Sequence, residues 1–160
     1  MKQKYLAPLI GAALLVVIVI TLIVVQSGAA QQPPAPGSAS TDPQHLMIPR
    51  WFLNALILDG LAVDIPADQQ SITLQFVPDG SANGKGGCNE FGASYTVSPD
   101  GKLSFGPVTS TKMACDSLMA QENAYFNALA KVTQFKTEGG KLTLSSADGK
   151  TSLVYRMPPK

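Results

Sequence analysis

The sequence contains few of the residues from which metal sites and many catalytic sites are built. Its 160 residues include two cysteines, Cys88 and Cys115, and one histidine, His45. A tetrahedral zinc site needs four such ligands, and a cysteine nucleophile needs a base, normally histidine, held within hydrogen-bond distance. His45 lies in or beside a segment of linker composition. We therefore expect no catalytic residue, no metal and no cofactor.

An excess of charge of one sign is also missing. The chain has 12 basic and 11 acidic residues, and because Lys2 and Lys4 precede an apolar run, 10 basic residues remain against 11 acidic ones. A protein that binds nucleic acid normally carries a clear basic excess. The composition therefore gives no reason to expect a nucleic-acid partner.

The glycine-rich stretch GKGGCNEFGASY, Gly84–Tyr95, lacks the spacing of a nucleotide-binding loop. A P-loop separates two glycines by four residues, whereas Gly80 and Gly84 are separated by three, and Lys85 is followed by Gly86 instead of Ser or Thr. A dinucleotide fingerprint would need a third glycine at the position of Asn89. The stretch is therefore more typical of architecture than of phosphate binding.

A long apolar run stands at the N-terminus. Residues 6–25 carry no charge over 20 positions, and a helix of that length spans about 30 Å, one hydrocarbon core. With Lys2 and Lys4 before it, the positive-inside rule places the N-terminus in the cytoplasm and the rest outside. We predict a single-pass signal anchor over residues 1–25. The alternative is a cleaved signal peptide, with Gly28 and Ala30 near the cleavage site, and a secreted product.

Residues 26–47 are rich in Pro, Ala, Ser and Gln and poor in large apolar side chains. Such a segment buries too little apolar surface to fold, so it predicts a disordered linker. The folded domain is then expected over residues 48–157.

Within that domain, apolar residues alternate with polar ones between tight turns, which predicts short, half-buried antiparallel strands. The turns are PDG at 78–80 and 99–101, EGG at 138–140 and ADG at 147–149. The inward faces are Ile72, Leu74 and Phe76; Phe91, Ala93, Tyr95 and Val97; Leu103 and Phe105; Leu142 and Leu144; Leu153 and Tyr155.

One segment has helical spacing instead. Asp116–Val132 lacks Gly and Pro, and its apolar stripe runs through Leu118, Tyr125, Leu129 and Val132. We predict a helix capped by the side chain of Asp116 or Ser117, covering a face or an end of the sheet. Many strands with one helix indicate a small curled sheet or barrel.

The two cysteines most simply pair with each other in a small extracytoplasmic domain, although buried free thiols are the alternative. A Cys88–Cys115 disulfide would close about 28 residues and stabilise the fold by roughly 3.5 kcal/mol.

The folded part resembles the META domain family, also called HslJ-like. The resemblance covers almost the whole domain, and its most specific motifs are Gly-Cys-Asn at 87–89 and Thr-Lys-Met-Ala-Cys at 111–115. The helix with Glu122 and Phe126 also matches. The family-signature positions are Trp51, Gly87, Asn89, Thr111 and Met113, with Lys112 where the family usually has arginine and Gly92 shifted by one position.

The resemblance implies a barrel-like (lipocalin-like) antiparallel sheet with one helix, an extracytoplasmic location and an association with envelope stress. It supplies no agreed active site. We expect Asn89 to hydrogen-bond neighbouring backbone, with a ligand-facing role as the alternative, and Trp51 to be a core or rim aromatic residue instead of a ligand platform.

The expected function is a non-enzymatic binding or stress-protection module tethered to the membrane. Its expected partners are the membrane, through the N-terminal helix, and an envelope protein or small ligand. One alternative is a carrier that encloses an apolar ligand in the barrel. A hydrolase is a remote alternative, because no motif supports it.

Overall fold

The computed structural model describes residues 38–48, 50–65 and 72–158. In that part of the chain, a short 3-10 helix at Pro43–Leu46 precedes ten strands and one α-helix, α1, at Met119–Ala130. The strands are β1 Trp51–Leu58, β2 Leu61–Val63, β3 Ile72–Phe76, β4 Ser81–Gly86, β5 Glu90–Val97, β6 Leu103–Phe105, β7 Thr109–Ser110, β8 Gln134–Glu138, β9 Lys141–Ser145 and β10 Ser152–Arg156.

The strands form one antiparallel sheet in the order β6-β5-β4-β3-β1-β10-β9-β8, and β2 and β7 pair with β1 and β5. The two ends of this order approach each other at a bridge between Lys102 and Gln134. There the Leu103 amide donates to the Thr133 carbonyl at 3.1 Å, and the Phe135 amide donates to the Gly101 carbonyl at 2.8 Å. The sheet is therefore a nearly closed barrel, which confirms the predicted fold class.

The alternating pattern of the strands explains the core. The predicted inward residues of β3, β9 and β10 are all buried, and in β5 and β6 the same face is buried or partly buried. Glycines at the predicted turns adopt φ values near +80°, as at Gly80 and Gly101, which a residue with a Cβ rarely adopts. Turn chemistry and alternation together set the registers of these strands.

Helix α1 closes one end of the barrel, because it contacts β1, β4, β6 and β10. Its predicted cap is wrong. Leu118 holds the N-cap position, and no side chain caps the helix. Instead, the amides of Leu118 and Met119 donate to the Cys115 carbonyl at 2.8 and 3.2 Å, so a backbone turn anchored at Cys115 begins the helix and leaves the Asp116 and Ser117 side chains exposed.

The structure also differs from the predicted linker over residues 38–47. Ser40 exchanges two backbone hydrogen bonds of 2.8 Å with Thr137 of β8, and the Asp42 carboxylate caps the 3-10 helix by accepting from the Gln44 amide at 2.9 Å. Leu46 is completely buried. The composition of residues 38–47 did not predict this attachment, because it depends on one buried apolar side chain and a few backbone hydrogen bonds.

Residues 1–37, which contain the predicted anchor and most of the predicted linker, lie outside the described residues. Among the residues that are described, no helix combines the length and apolar character that crossing a membrane requires. The anchor therefore stays a prediction.

Candidate functional site

The glycine-rich stretch runs along β4, makes a tight turn and enters β5. The Gly86 amide donates to the Asn89 carbonyl at 2.8 Å, and Gly87 between them has a φ of +125°. A side chain at Gly87 would strain this conformation. The turn presents two successive backbone N–H groups, those of Cys88 and Asn89, to one carboxylate.

That carboxylate belongs to Glu122 of α1, which is 3% exposed. Its Oε2 accepts from the amides of Cys88 at 3.1 Å and Asn89 at 2.6 Å, while Oε1 accepts from Nδ2 of Asn89 at 2.7 Å. Three N–H donors thus compensate the buried charge, as successive amides do in anion-binding nests. The carboxylate fastens the helix to the β4–β5 turn.

Asn89 is 2% exposed and uses its side chain fully within the protein. Its Oδ1 accepts from the Thr111 hydroxyl and from the Met113 amide, both at 2.7 Å. Its Nδ2 donates to Glu122 and, at 3.3 Å, to the Met113 carbonyl. An amide has two donors and one doubly accepting oxygen, so the side chain has no capacity left for a ligand. This geometry agrees with the structural interpretation of Asn89.

Cys88 and Cys115 form a disulfide, as predicted, with 5.9 Å between their Cα atoms. It joins the β4–β5 turn to the segment that begins α1. We call the group made by this bond and the bonds of Glu122 and Asn89 the signature cluster: Gly86, Gly87, Cys88, Asn89, Thr111, Met113, Cys115 and Glu122.

The other predicted positions also contribute to packing or backbone structure. Trp51 is 1% exposed, and its Nε1 donates to the Leu46 carbonyl at 3.0 Å, which places it in the core. Met113 enters the signature cluster through its backbone amide, although the residue as a whole is 58% exposed. His45 pairs through Nδ1 with the Thr137 hydroxyl at 3.2 Å.

Glu122 was not predicted from the residues alone as a central member of the cluster. The sequence nevertheless indicated that Glu122 faces the barrel, because it stands at helical spacing in the apolar stripe formed by Leu118, Tyr125 and Leu129. A carboxylate within an apolar stripe indicates a buried, bonded charge.

The barrel interior is filled by side chains. The largest of those with less than 2% exposure are Trp51, Tyr125 and Tyr155. The Tyr155 hydroxyl donates to that of Tyr125 at 3.1 Å, and burial raises the pKa of both phenols. This packing gives no support to the alternative of a carrier with an internal apolar pocket.

An open groove lies on the outer face of the sheet, with a volume of about 480 Å³. We call it the outer-face groove. Its walls and floor are formed by Arg50, Phe52, Thr73, Gln75, Asn83, Gly84, Lys85, Glu90 and Phe91. The sequence pattern indicated only that these polar residues lie on the solvent-exposed faces of strands, so the groove itself was not predicted.

The register places four of the groove side chains in one row across four strands. Phe52 of β1 is opposite Thr73 of β3, Thr73 is opposite Lys85 of β4, and Lys85 is opposite Glu90 of β5. A second, adjacent row contains Gln75 and Asn83, which are also directly opposite each other. Side chains that are opposite in this way have Cβ atoms about 4.5–5.5 Å apart.

We expect Gly86→Ala to lower the free energy of unfolding by about 1–3 kcal/mol. A Cβ at Gly86 would lie 2.6 Å from the Phe126 ring and 3.0 Å from Cγ of Glu122, so ring and carboxylate would both have to move. Gly92→Ala is the matched control in β5, because its Cβ would meet atoms no closer than 3.9 Å. Urea unfolding of both variants measures the difference. Equal stabilities would contradict the close packing at Gly86.

The fold and the signature cluster define a class: a small antiparallel barrel with a helix over one end, the two joined by a disulfide and a buried carboxylate. Residues 44–158 match the family model of the META domain, and the chain belongs to that family. A comparison with curated proteins gives no match.

Solved structures share this architecture. A protein from Burkholderia xenovorans, determined by NMR, is 29% identical, with a TM-score of 0.61 over 84% of this chain and 98% of that chain. A DUF4847 family protein from Bacteroides vulgatus is 11% identical, with a TM-score of 0.52 over 72% and 96%. Another NMR structure is 24% identical, with a TM-score of 0.54 over 72% and 94%. The last two establish similarity of fold alone.

Proposed function

We propose that this META domain is a non-enzymatic binding module that acts outside the cytoplasm and protects the cell envelope under stress. One contrast between two sites carries the proposal. The polar side chains of the signature cluster bond to one another, whereas Arg50, Gln75, Asn83 and Lys85 make no side-chain hydrogen bond or ion pair within the described ranges. The outer-face groove therefore presents unused hydrogen-bonding groups to solvent.

The side chains that could act in catalysis already hold parts of the fold together, which supports a binding role. Both cysteines are consumed by the disulfide, and His45 bonds to Thr137. Both oxygens of Glu122 accept hydrogen bonds from the protein. A general base must reach the proton that it removes, and a nucleophile must reach its base. Each of these groups instead holds part of the fold.

The disulfide also supports a location outside the cytoplasm, because such bonds persist in oxidising compartments. In this proposal the apolar run at residues 6–25 anchors the chain in the membrane. An anchored domain stays near the envelope, which raises its effective concentration for ligands there.

Site-specific photo-crosslinking in intact cells tests the proposal. A photoreactive phenylalanine derivative replaces Asn83, whose side chain is exposed in the groove. The matched control replaces Lys141 of β9, which is exposed on another part of the barrel. We expect a defined crosslinked species from position 83 and none from position 141, because only the groove is assigned a binding role.

Both variants keep residues 1–37, so the domain is tested in the cellular location that these residues give it. No crosslinked species from position 83, or the same species from both positions, would contradict a binding role for the groove.

A further inference from the structure

We propose that the outer-face groove binds a short segment of an acidic saccharide, a deduction that rests on the binding role proposed above. Four features of the groove carry it: paired strands beneath it, amide groups at its centre, an aromatic ring in its wall and a small positive balance of charge. Each feature excludes or favours a class of ligand.

The strands beneath the groove have no free edge there. β3 pairs with β4 along its length and with β1 at Thr73 and Leu74, and β4 pairs with β3 and β5, so both strands lie inside the sheet. A peptide that binds by adding a strand needs an unpaired edge. A ligand in this groove must therefore be recognised by side chains on the face of the sheet.

The amide side chains of Gln75 and Asn83 are at the centre. They are directly opposite each other, and each offers an N–H₂ donor and a carbonyl acceptor. A sugar hydroxyl is both donor and acceptor, so neighbouring hydroxyls can bond to both halves of these amides. Beyond Glu90, a shallower depression lined by Thr109, Ser110 and Thr111 continues the polar surface across β7.

One aromatic ring, that of Phe52, provides apolar surface beside these polar groups. Phe52 is partly exposed in the groove wall, whereas Phe91 is buried in the core and contributes little surface to the groove. A pyranose ring has an apolar C–H face that packs on such a surface, while its edge carries the hydroxyls.

The charges favour an acidic ligand of low charge density. Arg50 and Lys85 contribute two positive charges, and Glu90, opposite Lys85, contributes one negative charge. A carboxylate accepts charge-assisted hydrogen bonds from the two cations. A polyanion such as nucleic acid would be repelled by Glu90 and would need a larger basic surface. The groove volume of about 480 Å³ suits a short oligosaccharide segment.

Isothermal titration calorimetry of the 160-residue chain in detergent tests the inference. The probes are a disaccharide of glucuronic acid and N-acetylglucosamine, the neutral disaccharide chitobiose, and an acidic tetrapeptide of Asp and Ala. We expect the acidic disaccharide to bind more tightly than chitobiose by about tenfold, because only the former uses the two cations.

Substitutions in the outer-face groove test whether the disaccharides bind there. Lys85→Gln combined with Arg50→Gln is expected to remove the preference for the acidic disaccharide, and Phe52→Ala to weaken both disaccharides by about tenfold. Lys141→Gln on β9 is the matched control and should bind as the unaltered chain does. Thermal unfolding of each variant verifies that it is folded.

Any one of three results overturns the inference. They are no heat of binding with either disaccharide at about 10 mM, roughly tenfold above a dissociation constant of 1 mM, affinities unchanged in the groove variants, or equal affinity for the acidic tetrapeptide. If position 83 crosslinks in cells but any of these results is obtained, the binding role is supported and the saccharide is rejected as the ligand. Failure of both experiments would remove both.

Discussion

Reduction of the Cys88–Cys115 disulfide is expected to lower the midpoint of thermal unfolding by about 12–20 °C. The bond closes a loop across a sequence separation of 27 residues, and losing that constraint costs roughly 3 kcal/mol through the entropy of the unfolded chain. It also holds the Cys115 carbonyl, which accepts the first hydrogen bonds of α1. Calorimetry with and without reductant measures the shift.

The matched control is the double variant Cys88→Ala, Cys115→Ala, which should unfold near the midpoint of the reduced protein and show no further response to reductant. Alanine is chosen because Cys88 is 4% exposed, so a serine hydroxyl would be buried without a certain partner. An unchanged midpoint on full reduction, or two titratable thiols in protein isolated under alkylating conditions, would contradict the role assigned to this bond.

Glu122→Gln is expected to destabilise the domain by about 2–3 kcal/mol without removing any carbon atom. Oε2 accepts from two backbone amides, and Oε1 accepts from Nδ2 of Asn89. A glutamine can keep its oxygen toward one set of donors only, and its N–H₂ group then faces the other set. Rotating the Asn89 amide to compensate would break its bonds from Thr111 and Met113.

Glu138→Gln is the matched control, because this carboxylate at the end of β8 is about half exposed and makes one ion pair with Lys136 at 3.8 Å. An exposed pair of this kind contributes little, so the change should remain within about 0.5 kcal/mol. Chemical denaturation of both variants measures the difference. Equal effects would mean that the Glu122 carboxylate does not hold the helix against the turn.

The two largest effects act on one junction, so they are not independent. The disulfide and the Glu122 carboxylate both connect the β4–β5 turn to the start of α1. Once one connection is lost, the other holds a junction that is already loosened, and the combined loss should differ from the sum of the single losses.

Alternation and turn chemistry predicted most of the barrel because they act over a few residues. The inward positions of β3, β9 and β10 follow the period of 2, and the predicted glycine turns have positive φ values. β4 was not predicted as a strand, since SANGKG is poor in β-branched and aromatic residues. Its pairing with β3 and β5 on both sides overrides that weak propensity.

The candidate sites differ in how much the sequence reveals. The disulfide followed from the cysteine count, and the signature positions followed from the resemblance to the family. The prediction of a side-chain cap was wrong because the Cys115 carbonyl accepts the first hydrogen bonds of α1. The disulfide to Cys88, which is distant in the sequence, holds Cys115 in place. The outer-face groove depends on the register of four strands, which no single stretch of sequence contains.

We assign two separate roles: the signature cluster holds the fold, and the outer-face groove is proposed to bind the ligand. Crosslinking yield from position 83 in intact cells separates these roles when it is measured in two backgrounds: Glu122→Gln, and Phe52→Ala combined with Lys85→Gln. We expect the first variant to crosslink like the unaltered chain despite its lower midpoint, and the second to lose the crosslink at an unchanged midpoint. Loss in the first background with retention in the second would contradict this assignment of roles.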